Sequence, residues 1–237
     1  MFVEFLGLPA SGKTTLITAV HKALVVAGVR VCFDDGLETQ DRTLPGYIRR
    51  KPLSRAIYRL EQFRSSYPEC ASIIDQIGSQ DINAKALLLG TGAKYQMFRA
   101  NPDLCDMVLA DEGFLHRAIY LIARTDADQK QLLDAFCHAM PVPKALAHLT
   151  LPAAQSFSRA VERLAARDKS GQDLQQIERR IKMAHGDVQA LANRAALMDQ
   201  AVKTLAQRGT QILQISTDAA PSDAILQTSL GLMRAIA

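Results

Sequence analysis

The sequence predicts an α/β protein, a parallel sheet wrapped by helices, and two observations carry that expectation. Five apolar runs of strand length, "MFVEFLG", "VRVCFD", "DMVLADE", "ALAHLTL" and "TQILQIS", recur between longer segments of helical periodicity. The first run passes straight into the loop "GLPASGKTT", and a helical pattern follows it. With 237 residues, 48% of them apolar, the chain can bury one generous core, so a single domain over 1–237 is expected.

Each element has its own signals. A helix is expected over 14–27, ended by Gly28. The second apolar run closes on Asp34 and Asp35, and 35–51, rich in polar and turn residues, reads as an exposed loop near the substrate. A helix with basic residues on one side is expected over 52–67. Another covers 81–100, capped by Asp81 and stopped before Pro102, because proline disfavours helix at the residue preceding it. Past the third run, 112–140 reads as two helices. A helix over 152–168 follows the fourth run, then a longer helical stretch over 172–207 in which "HGD" at 185–187 marks a kink. An amphipathic helix over 221–236 closes the chain. No repeat, low-complexity tract or interdomain linker breaks the pattern.

The formal net charge of +4 is mild and spread along the chain, so a nucleic-acid substrate is permitted but not indicated. Cys32, Cys70, Cys105 and Cys137 lie far apart without a C-x-x-C pair, which fits free thiols in a reducing compartment. His21, His116, His138, His148 and His185 show no metal spacing. With no charged leader and no apolar run near the roughly 18 residues of a membrane span, a cytoplasmic, unprocessed protein without a membrane partner is expected. Nothing counts subunits, and a homodimer is compatible with the sequence.

The chemistry is written most clearly in the first loop. Gly7, Gly12, Lys13 and Thr14 satisfy G-x-x-x-x-G-K-[ST], with a strand before and a helix after. Glycines let backbone N–H groups turn inward around phosphate oxygens, the helix start adds positive potential, the lysine reaches the terminal phosphates and the threonine hydroxyl can bind magnesium. A nucleotide-binding loop of Gly7, Leu8, Pro9, Ala10, Ser11, Gly12, Lys13, Thr14 and Thr15 is therefore expected, with ATP and Mg2+ as cofactors. At this composition a chance match has a probability of roughly 3 in 1,000.

A magnesium ion bridging two phosphates needs a carboxylate on its far side, and Asp111, at the end of the third apolar run, is placed to supply it. Asp111 could equally cap the following helix. Glu112 would orient the attacking group or favour the helix start. In "SRAVERLAARDK", Arg159, Arg163 and Arg167 recur every fourth residue and share one helical stripe. A solvated basic face would look the same, but the segment follows a core strand, where cations can surround a transferring phosphoryl group.

Together these residues resemble the nucleotide-kinase-like branch of P-loop kinases, nearest in layout to thymidylate kinases and deoxynucleoside kinases. The resemblance implies a P-loop NTPase three-layer α/β/α fold with strand order 2-3-1-4-5. It also implies an acceptor-binding helical region over about 36–102, a helical lid over about 153–172 turning at Lys169, Ser170 and Gly171, and an adenine contact from 216–223. The chain departs from that branch where Asp111-Glu112-Gly113 replaces its D-R-Y or E-R-S triplet, and 35–102 carries no substrate signature.

A hydroxyl acceptor needs a carboxylate to take its proton, whereas a phosphate acceptor needs cations to hold it. Asp34, with Asp35 behind it, sits where hydroxyl-phosphorylating relatives keep their base, although both could cap the following turn. Against this stands a basic collection in the same half: Arg42, Arg49, Arg50, Lys51, Arg55, Arg59 and Arg99, with Arg117 a better candidate on the helix after Glu112. Tyr47, Tyr58, Phe63, Tyr95 and Phe98 could stack on a base or fill a core.

The expected activity is transfer of the ATP gamma-phosphate to a small molecule: a nucleoside, nucleotide or sugar-like hydroxyl compound. The alternative is an ATPase or nucleotide-binding regulatory module acting on a protein partner. A GTP switch is disfavoured, because "DQIG" at 75–78 follows no strand and no N-K-x-D is present.

Overall fold

In the computed structural model, which describes residues 1–33, 52–78, 81–168, 173–217 and 221–236, five strands form one all-parallel sheet. They are β1 (Phe2–Gly7), β2 (Val31–Phe33), β3 (Met107–Asp111), β4 (Ala145–Thr150) and β5 (Gln211–Ser216), in the spatial order β2-β3-β1-β4-β5. All five coincide with the apolar runs. Central β1 pairs Phe2 with Val108 on one side and Val3 with Ala145 on the other, and all six of its residues are buried. A strand covered on both faces has no reason to alternate with polar residues, which explains the near-continuous apolar reading.

The pleat divides the core in two. Val3, Phe5, Met107, Leu109 and Ala147 point to the face covered by helix α1 (Lys13–Val26), through Leu16, Ile17 and Val20, and by the last helix, α10 (Pro221–Ile236). Phe2, Leu6, Val108, Ala110 and Leu146 point to the opposite, larger core. That core is built by α2 (Pro52–Ser66), α3 (Pro68–Ile77), α4 (Ile82–Ala100), α5 (Phe114–Ile122), α6 (Gln129–Ala139) and α9 (Val188–Gln207). Helices α7 (Ala153–Arg167) and α8 (Leu174–His185) lie between β4 and α9 in the chain.

Three details correct the sequence reading. Helix α3 was not anticipated; Pro68 occupies its first turn, where a missing N–H does no harm, and Cys70, Ala71, Ile74 and Ile77 form its buried face. "HGD" is a complete break: Gly186 takes φ +78, which ends α8, and the Asp187 carboxylate starts α9 by accepting from Ala190 N. Helix α5 begins at Phe114, because Glu112 adopts a left-handed backbone at φ 57. Asp81 caps α4, as expected.

"DQIG" ends α3, where Asp75 receives Arg64 at 2.8 and 3.0 Å and Lys85 at 2.8 Å. Those cations hold its carboxyl well below the usual carboxylate range, and it pins three helices together. Cys70 and Cys137 are buried, and desolvation pushes both thiols up to about 12. Among the described residues, no helix is long and apolar enough to cross a membrane.

Strand order reverses around β1: the chain passes from β1 to the β2–β3 side, then crosses to β4 and β5. The carboxyl end of β1 is therefore a topological switch point, where parallel sheets open a crevice. Residues 8–12 stand there.

Candidate functional site

The loop from β1 to α1 is held by backbone conformations that expose N–H groups. Ala10 takes φ 55 and Gly12, the residue preceding α1, takes φ 88. No side chain caps α1 and its first turn carries no acid, so its free N–H groups and positive dipole end are available to an anion. Gly7 is required by packing: a Cβ there would lie 2.9 Å from both Leu149 O and Ser11 Oγ. Lys13 is only 8% exposed, and its Nζ donates to Gly7 O at 2.8 Å and Leu8 O at 3.0 Å. Burial lowers its pKa, with Asp111 and Glu112 working in the other direction.

From β3 comes the acidic partner. Thr14 Oγ1 donates to Asp111 Oδ2 at 2.6 Å, across 97 residues of sequence. The second oxygen, Asp111 Oδ1, is buried with no hydrogen-bond partner. A hydroxyl and a carboxylate with an uncommitted oxygen form the hard-oxygen set that suits Mg2+, which takes one or two protein ligands and fills its octahedron with phosphate and water oxygens. The described residues contain no cluster of three or more metal-binding side chains. Asp111 does not cap α5.

That capping comes from Glu4, in the middle of β1. Its carboxylate is 0% exposed and accepts from Phe114 N and Leu115 N at 3.0 Å each, and from the Tyr95 hydroxyl. A Cβ at residue 113 would lie 2.6 Å from Glu4 Cδ, so glycine is the residue that fits. This accounts for Asp111-Glu112-Gly113: the third position gives way to a buried carboxylate that fixes α5, and α5 fixes the end of β3.

Above the loop lies a cavity of about 1080 Å³. Asp111 and Glu112 line it with the loop; Arg159, Arg163 and Arg167 from α7 close another side, with Ile181 and His185 from α8 and Thr18 and Lys22 from α1. All three arginines are exposed and share one stripe, as the spacing of four predicted. Helix α7 is tied to the loop by Ser156 Oγ, which donates to Pro9 O at 2.7 Å. A small apolar cluster of Ala160, Val161, Ile177 and Ile181, with Ala10 against it, joins α7 and α8 to the loop. Phe157 packs against both this cluster and the larger core.

The structure thus gathers residues 9–15 of the expected loop, both acids and the three arginines around one cavity, with Gly7 and Leu8 supplying the carbonyls behind Lys13. It does not bring Arg99 or Arg117 there. Arg99 binds the Tyr67 hydroxyl in the helical pack, and Arg117 Nε donates to Glu112 O at 3.0 Å. Arg59 is buried beside Gln62. Tyr95 and Phe63 are core residues, stacked on Phe2 and seated against Gly92 respectively. Asp34, Asp35, Arg42, Tyr47, Arg49, Arg50, Lys51, Lys169, Ser170 and Gly171 lie outside the described residues, as does the side chain of Arg55, together with 218–220 from the expected adenine contact.

Sequence reasoning missed Glu4, Ser156, Lys22 and His185. Glu4 had a signal, a single charge inside an otherwise apolar strand. The other three had none, because their roles depend on which helices meet. Compared with known proteins, the chain matches no protein-family model and no curated protein sequence.

Proposed function

We propose that this chain is a P-loop kinase that transfers the gamma-phosphate of ATP to a small-molecule acceptor. The observation that carries the reading is the Thr14–Asp111 contact of 2.6 Å, set beside Lys13 and opposite three arginines of one cavity. A loop serving only as a structural turn would have no use for this convergence.

In this reading the N–H groups of 10–15 and the start of α1 hold the beta and gamma phosphates. Lys13 leaves the Gly7 and Leu8 carbonyls for the phosphate oxygens, exchanging neutral acceptors for anionic ones. Thr14 Oγ1 and the Asp111 carboxylate would hold Mg2+, which would supply neutralisation of the phosphate charge. Arg159, Arg163 and Arg167 surround the equatorial oxygens as charge spreads in the transition state, and α7–α8 act as the lid that excludes water. Glu112 lines the cavity beside Asp111 and orients the acceptor; Asp34 or Asp35 takes the proton if the acceptor is a hydroxyl.

The test is incubation with labelled ATP, Mg2+ and pooled nucleosides, nucleotides and sugars. A labelled small product that disappears with Lys13→Ala is expected. Release of inorganic phosphate alone, whatever is added, would replace the kinase by an ATPase. Absence of nucleotide binding by folded protein would remove both.

A further inference from the structure

Behind the cavity, on the α5–α9 side, lies a group of cations that the proposed phosphotransfer machinery leaves unused. Arg194 of α9 is 4% exposed, and its Nε and Nη1 are buried without a hydrogen-bond partner. An arginine left this way is costly, since a buried cation with unmatched donors loses its water and gains nothing specific in return. Tyr120 anchors it, through a side-chain hydrogen bond and through stacking: Cζ lies 4.2 Å from the centroid of the Tyr120 ring, which also stacks on the imidazole of His116 at 4.8 Å.

This guanidinium is not remote from the phosphate loop. It ends against Gly186, where an added Cβ would come within 3.4 Å of Arg194 Nη2, and Gly186 directly follows His185, which lines the cavity. The Nδ1 atoms of His185 and His116 are also buried without partners. Lys13 and Arg194 bear on both imidazoles, Arg117 on His116 and Arg124 on His185, while Glu112 is the acid facing His185. Positive charge and unmatched donors thus converge on one spot beside the cavity.

We infer that Arg194, His185 and His116 form an anion subsite that takes an oxyanion, phosphate or carboxylate, carried by the second substrate. Nε and Nη1 of the guanidinium supply two donors in one plane, stacking on Tyr120 fixes that plane, and His185 brings an unpartnered Nδ1 from the cavity side. The acceptor is then an anionic compound, held by its charged end at Arg194 while another of its atoms faces the gamma-phosphate. This rests on the kinase reading for the acceptor's role, but the anion subsite itself does not.

The two can be separated by nuclear magnetic resonance, with the Gly12 amide reporting the loop and the His185 Hε1 reporting the subsite. Inorganic phosphate is the probe, followed by acetate at equal ionic strength. Phosphate is expected to move His185, and Arg194→Met is expected to weaken that response about tenfold or more while the Gly12 response stays. Arg194→Lys should restore part of it. A stronger response to acetate assigns the subsite to a carboxylate and a weaker one to a phosphate. An unmoved His185 in the wild-type protein, or one that answers equally in Arg194→Met, overturns the inference. Should Arg194→Met fail to fold, His185→Ala read at His116 Hε1 carries the same test, with the response lost or the inference refuted. A Gly12 amide that ignores Mg2+–ATP would instead overturn the kinase reading, leaving the phosphate titration at His185 to stand or fall alone.

Discussion

Lys13, Gly12 and Asp111 show how far single residues carry the argument. Gly12 holds φ 88 with nothing within 4 Å of where a Cβ would stand, so the cost of Gly12→Ala is backbone strain alone. A loss of about 1–2 kcal/mol is expected, read from urea denaturation. Asp111→Asn separates metal from phosphate. With Mg2+ present, ATP affinity should fall about tenfold or more if the proposed metal site holds, because that site loses its charged ligand. With chelator present it should hold or rise, because a carboxylate beside Lys13 repels a bare triphosphate. Calorimetry in the two buffers checks both signs; equal loss in both would mean that Asp111 only positions Thr14.

Elements set the geometry that those residues use. Helix α5 starts where Glu4 receives its first N–H groups, so two changes should act on the same joint. Gly113→Ala forces a Cβ into the Glu4 carboxylate at 2.6 Å and should destabilise by about 1–3 kcal/mol. Glu4→Gln keeps the shape but exchanges one acceptor for a donor facing a helix start, at a similar cost of about 1–3 kcal/mol. If thermal melts show neither loss, Glu4 is not what fixes α5. On the other side of the loop, α7 and α8 rest on a small apolar cluster and on Ser156, and only Ala153 and Phe157 of α7 reach the larger core. Ser156→Ala should therefore speed hydrogen exchange in α7–α8 while leaving the global unfolding free energy within about 1 kcal/mol. Arg163→Ala should lower kcat more than ATP affinity, and equal loss of both would argue against closure over the transition state.

For the whole molecule, burial of neutral histidines gives stability a pH dependence. Burial lowers the pKa of His116, His148 and His185. His148 Nε2 lies 3.9 Å from Asp199 Oδ1, but that carboxylate is exposed and desolvation prevails. A histidine whose folded pKa is lowered binds fewer protons folded than unfolded, so its contribution is intact above the ordinary value of about 6.5 and is lost as pH falls below it. The urea midpoint should thus drop between about pH 7 and pH 5, before most carboxylates titrate. A flat profile there would mean that these imidazoles are not held neutral.

The five strands, most of the helices and the loop between β1 and α1 were legible because their causes are local: runs of apolar residues, proline and glycine punctuation, and a phosphate-shaped spacing. Helix α3 escaped because Pro68 reads as a stop when it is a start, although its apolar face was there to be read. The sequence by itself determined what most of the elements are and which residues are candidates for phosphate chemistry. Tertiary structure alone decided that Thr14 meets Asp111, that Glu4 seats α5, and that Arg194 is buried beside His185 with donors to spare. Those facts depend on pairs far apart in the chain, and no local pattern records a distance between side chains that only packing brings together.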